Sequence, residues 1–140
     1  MIMQNITPTR IEKLNENEIF VFGSNLQGLH LGGAAYTAVK HFGAVMGNGV
    51  GIQGNSYAIP TLEEPAHSGK LIKLSVEAIG AFVDVFIRYA KENTDKVFYV
   101  TPIGCGIAGF TEEEIAPLFK DGLEVENIYL PQSFVDVLTK

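Results

Sequence analysis

The chain has 140 residues, enough for one domain with a substantial core, since folded chains near this size bury roughly two-thirds of their unfolded surface. Hydrophobic residues at 46% against charged ones at 19% mark a globular rather than a disordered chain. A formal charge of −6, from 10 Lys and Arg against 16 Asp and Glu, argues against sequence-independent nucleic-acid binding, which needs a basic surface.

Met1–Arg10 lacks the basic start, apolar centre and small-residue cleavage site of an export signal. The longest apolar runs are strand length, so no membrane partner is read and the cytoplasm is the expected location. Thr7-Pro8 has the form of an N-cap followed by proline at the first helical position, and predicts a short helix to about Leu14. Ile19-Phe20-Val21-Phe22 is a continuous apolar run suited to a strand buried on both faces of a parallel sheet. A loop with three glycines, Gly28, Gly32 and Gly33, follows. Ala35, Ala38, Val39 and Phe42 then recur at helical spacing up to Gly43, a C-terminal stop.

Gly54-Asn55 between Val50–Gln53 and Ser56–Ile59 predicts a hairpin, with its register loosely specified by the surrounding glycines. Thr61–Lys70 reads as a polar loop. Ser75 is a candidate cap for a helix to about Glu92, with Val76, Ile79, Val83, Phe86, Ile87 and Ala90 on one face. Lys96–Ile103 predicts a second buried strand, and Gly104–Gly109 a second glycine loop. Thr111-Glu112-Glu113-Glu114 is a capping box that opens a helix to about Phe119. Asn127–Leu130 reads as a short strand, and Ser133 as the cap of a last helix. Strands alternating with helices predict a single α/β domain over residues 1–140, with a mainly parallel central sheet flanked by helices in three layers.

Strand, glycine loop and helix in succession present bare backbone N–H groups and a positive helix end to an anion. With arginine only at Arg10 and Arg88, a small anionic ligand would be held by such backbone donors. Right-handed crossovers bring the loops after parallel strands to one sheet edge, so the two glycine loops are expected to share a cleft. Gly104-Cys105-Gly106-Ile107-Ala108-Gly109 has G-x-G-x-x-G spacing, but Thr111 caps the next helix only after Gly109. Glu124 and Glu126 also lie before the next strand rather than after it, so a dinucleotide fingerprint of the βαβ type is not read here.

A lone cysteine, Cys105, excludes an internal disulfide. It reads as a nucleophile near a helix start or, favoured for want of a fixed histidine partner, as a small residue in a crowded turn. His30 reads equally as a phosphate-binding or proton-transferring group and as an exposed loop residue. Asn25 either satisfies the turn backbone or offers its amide to a ribose hydroxyl. His41 lies on the polar side of its helix and His67 in a polar loop. No histidine–carboxylate cluster has metal-ligand spacing, so no metal and no resident cofactor are expected.

Val21-Phe22-Gly23-Ser24-Asn25, followed by Gly32-Gly33-Ala34-Ala35 and a helix to Gly43, resembles the first ligand loop of macrodomains. Gly104-Cys105-Gly106-Ile107-Ala108-Gly109-Phe110 resembles their phosphate-cradling second loop, and is the more specific match. The resemblance covers about Glu18–Pro131, and is to a bacterial or phage branch whose first loop opens Gly-Ser-Asn-Leu. It implies a macrodomain-like fold that binds ADP-ribose or a related nucleotide, in places with hydrolysis of an ADP-ribosyl bond. Ligand contacts are then expected from Gly23, Ser24, Asn25, Gly28, Gly32, Gly33 and Gly104 to Phe110, and any catalysis from Asn25 and His30. Asn25 matches the second of the family's paired asparagines, Phe22 stands at the first, and Ala34 and Ala35 stand where hydrolases of one branch carry an aspartate. The paired glutamates of the poly-ADP-ribose-degrading branch are absent as well. The alternative is a structural or protein-interaction module that keeps the fold without the ligand.

Overall fold

β1 (Glu18–Asn25) is the centre of the sheet in a computed structural model that describes residues 4–140. Residues 1–3 of the segment read for an export signal lie outside the described residues. β1 pairs in parallel with β3 (Ser56–Glu63) on one side and β5 (Val97–Val100) on the other. β5 pairs in parallel with β6 (Ile128–Tyr129). The outer edge of β3 carries two short antiparallel strands, β2 (Gly51–Gln53) and β4 (Ile72–Lys73). The sheet is therefore mixed but mostly parallel.

Residues Ile19 to Phe22 are buried because both faces of β1 are covered. Ile19 and Val21 pack into the larger core, beneath α2 (Val76–Glu92), α3 (Glu112–Ile115) and α4 (Gln132–Leu138). Phe20 and Phe22 pack into the smaller core, against Ala35 and Ala38 of α1 (Gly33–His41). Each such fully buried side chain contributes about 1.5–3 kcal/mol of transfer free energy. Helices thus flank both faces of an α/β sheet.

Local signals set most helix ends. Ser75 Oγ accepts the Ala78 N–H at 3.1 Å and starts α2, whose buried face is Ile79, Val83, Phe86, Ile87 and Ala90. Thr111 and Glu114 form a reciprocal capping box at α3. The helix expected to reach Phe119 is instead α-helical only to Ile115, then a 3-10 segment over Ala116–Gly122. Pro117 explains the change, because it has no N–H to give the Glu113 carbonyl.

Other expectations require correction. Thr7-Pro8 starts no helix. The Thr7 N–H donates to the Leu130 carbonyl and its Oγ1 to the Val100 carbonyl, each at 2.8 Å, while Ile6 bridges Leu130 in parallel. The hydroxyl that would cap a helix is used to tie an extended segment across β5 and β6. The polar loop read from Thr61 is shorter, since β3 runs through Pro60 to Glu63. Pro60 falls on a stretch of the outer edge that neither β2 nor β4 pairs, where a missing N–H is tolerated. Ser133 does not cap α4, which begins at Gln132 after Pro131 without a side-chain cap.

Candidate functional site

Because β1 and β5 are adjacent and parallel, the loops that follow them leave the same edge of the sheet. They line a cavity of about 460 Å³. The first loop contributes Gly23, Ser24, Asn25, Leu29, Leu31 and Gly32 through Ala35; the second contributes Thr101 to Gly104 and Gly106 to Ala108. Thr61, Leu62 and Leu71 complete the wall from the side of β3 and β4.

The second loop is closed by the Phe110 N–H on the Gly104 carbonyl at 2.8 Å and the Gly109 N–H on the Gly106 carbonyl at 3.0 Å. Gly104 has φ of 79°, a left-handed conformation in which an added Cβ would also meet Phe110 and Ile115. The N–H groups of Gly104, Gly106, Ile107 and Ala108 donate to no acceptor among the described residues. Across the cavity, α1 has Gly32 as its N-cap and no side-chain cap, so the N–H groups of its first turn also remain open. Two sets of open backbone donors, one of them the positive end of a helix, therefore line one space.

The polar side chains of the wall are turned inward. Ser24 Oγ donates to the Gly49 carbonyl at 2.6 Å, Thr61 Oγ1 to the Ser24 carbonyl at 3.3 Å, and Thr101 Oγ1 to the Val21 carbonyl at 2.8 Å. Asn25 is buried and makes a two-way pair with the Leu29 backbone: Nδ2 donates to the carbonyl and Oδ1 accepts the N–H, both at 2.9 Å. Asn25 thus shapes the first loop, the turn-satisfying alternative, rather than presenting a free amide. No side chain of the wall is titratable.

Five residues expected at the site lie outside the cavity wall. His30 is 1% exposed, neither an exposed loop residue nor a cleft residue. Its ring meets Phe22 edge-on at 5.2 Å between centroids, and Nε2 lies 2.9 Å from the Asn48 carbonyl. Gly28 packs against the Gly47–Asn48 backbone, accepting the Gly47 N–H at 2.9 Å. Cys105 turns toward the Ile103 carbonyl, with Sγ at 3.6 Å. Its thiol is pushed up to about 11, by burial first and then by the carboxylates of Glu112, Glu113 and Glu114. That is the reverse of an activated nucleophile. Phe110 is buried under Lys73, whose Nζ stands 4.7 Å from the ring centroid and donates to the Gly109 carbonyl at 3.1 Å. Gly109 and Phe110 therefore hold the loop from beneath.

Sequence reasoning missed Leu29, Leu31, Ala34, Ala35, Thr61, Leu62, Leu71, Thr101, Pro102 and Ile103. A usable signal existed for Thr61-Leu62 and Thr101-Pro102, since the first pair lies near the end of β3 and the second directly follows β5, both strands parallel to β1, and such ends line ligand crevices.

A second cavity, of about 520 Å³, lies between Ile6–Ile11, Thr37 of α1 and Pro131–Ser133. It shares Ala34, Thr101 and Pro102 with the first, so the two meet at the end of β5. Among the described residues, no three His, Cys, Asp or Glu side chains are grouped to hold a metal ion, and no helix is long and apolar enough to cross a membrane. No family model, curated protein or solved structure matches this chain.

Proposed function

We propose that this chain is a macrodomain-like module that binds ADP-ribose or a related nucleotide diphosphate. The observation that carries the reading is the convergence of two glycine loops, with open N–H donors, on one cavity that joins a second at Ala34, Thr101 and Pro102. A diphosphate suits the first cavity: it is anionic, and the donors there are backbone amides and a helix end, while Arg10, in the wall of the second cavity, is paired with Glu12 at 2.9 Å. A group on each side of it then has a cavity to enter. The unfilled volume favours this over a ligand-free module, for which we would expect a cleft occupied by the chain's own side chains.

The role proposed is binding. Hydrolysis would need a group to move a proton, and neither the wall nor His30 in its buried place supplies one. Isothermal titration with ADP-ribose tests the reading. Saturable heat with one site per chain is the expected result, and the absence of heat and of any thermal shift at millimolar ligand would end it.

A further inference from the structure

The cavity between β3 and β5 is unlike a sugar site. Its wall carries four leucines, Leu29 and Leu31 from the first loop, Leu62 at the end of β3, and Leu71 before β4. The hydroxyl protons of Ser24, Thr61 and Thr101 are all committed to main-chain carbonyls, and Asn25 is closed on Leu29. Sugar hydroxyls driven against such a wall would meet few free donors and much hydrocarbon, whereas a flat uncharged ring with its single amide turned to solvent would lose far less there.

Position adds to composition. Strand order runs from β4 and β3 through β1 to β5 and β6, so Leu62 and Leu71 lie at the end remote from the second cavity. The open amides of the second loop and of α1 line the same cavity as the leucines. A ligand with its diphosphate on these amides reaches the second cavity with one nucleoside by passing Ala34, Thr101 and Pro102, which the two cavities share. Its other end passes a ribose and reaches the leucines. The two spaces are of similar size, about 460 and about 520 Å³, as two nucleoside-sized ends require.

Resting on the nucleotide reading above, we infer that the preferred ligand is a dinucleotide whose second ring is uncharged, and that Leu31 and Leu71 select it over ADP-ribose. ADP-ribose ends in a free sugar, and so leaves the leucine end exposed. The ring adds apolar contact there without needing a partner charge, and no charged side chain lines the wall to provide one.

Titration of the full chain with ADP, ADP-ribose and NADH tests this. NADH is expected to bind roughly tenfold or more tightly than ADP-ribose, the effect of covering one ring's apolar surface. Leu31 and Leu71 are 73% and 42% exposed, so L31S/L71S is expected to fold. That variant should bind NADH no better than ADP-ribose. ADP-ribose binding as tightly as NADH to the wild type, or an NADH preference intact in L31S/L71S, would overturn the inference while leaving the nucleotide reading in place. Failure of all three ligands would instead remove the nucleotide reading itself.

Discussion

Ile107 and Gly32 belong to different glycine loops, yet Ile107 Cδ1 stands 3.1 Å from where a Cβ on Gly32 would sit. Contact across the cavity mouth thus depends on a residue without a side chain at the head of α1. The Gly32 backbone is extended, with φ of −157° and ψ of 167°, so a substitution there carries no left-handed strain. Serine is also a good N-cap. Gly32→Ser is therefore expected to leave thermal stability unchanged while displacing the largely exposed Ile107 tip. Nucleotide affinity should fall by about fivefold to tenfold, the range of a single disturbed contact. Titration beside a melting curve separates the two effects, and an unchanged affinity would show that the Ile107–Gly32 contact is irrelevant to binding.

His30 makes a different prediction, because it is a core residue of the loop. Its ring fills space against Phe22 and partners the Asn48 carbonyl. His30→Ala removes both and is expected to cost about 2–4 kcal/mol in urea unfolding. Ligand affinity of the molecules that remain folded should change little. A variant as stable as the wild type but unable to bind would return His30 to the site.

The Cys105 thiol, at about 11, should stay protonated at pH 8. Iodoacetamide is then expected to alkylate it about a hundredfold more slowly than an ordinary thiol with its value at 9.0, following the thiolate fraction. A rate equal to that of a free peptide thiol would contradict the buried, carboxylate-flanked placement.

Stability should decline in alkali. Tyr99 is raised from 10.0 to about 12, chiefly because its hydroxyl donates to Glu18 at 2.7 Å, with burial second. Tyr57 is also raised to about 12, by burial first and then by Tyr89. The folded chain holds these protons where the unfolded chain has released them. Their contribution is full below pH 10 and is lost as pH rises toward 12. Urea midpoints measured from pH 8 to 11 should fall, and Tyr99→Phe should flatten that fall while lowering the midpoint at neutral pH. Identical pH slopes in the two proteins would refute the Tyr99–Glu18 contribution.

What could be read from the sequence was local. The buried run of β1, the Gly54-Asn55 hairpin, the Ser75 cap and the Thr111 capping box each act within a few residues, and each is in place. Thr7 misled because its hydroxyl serves Val100, 93 positions away, and no local pattern announces that. His30 and Asn25 misled for a related reason. A polar side chain in a glycine loop can turn outward to a ligand or inward to backbone, and the choice here depends on Asn48 and Leu29. The leucine end of the cavity was hidden because it is assembled from three separate segments, the loop at Leu29–Leu31, Leu62 and Leu71.

The outer side of β3 is divided between β2, three residues long, and β4, two residues long. On the far side, β6 is likewise two residues, and the Ile6–Leu130 bridge lies across its end. Neither margin offers a long flat row of unpaired amides on which another chain could add a strand. Despite a β1 composition typical of amyloid-forming segments, the folded protein should resist templated aggregation, because an edge of Ile19–Phe22 becomes available only if β3 or β5 leaves it, which takes the central sheet apart. Concentrated solutions should accordingly stay free of thioflavin-binding fibres until conditions approach global unfolding.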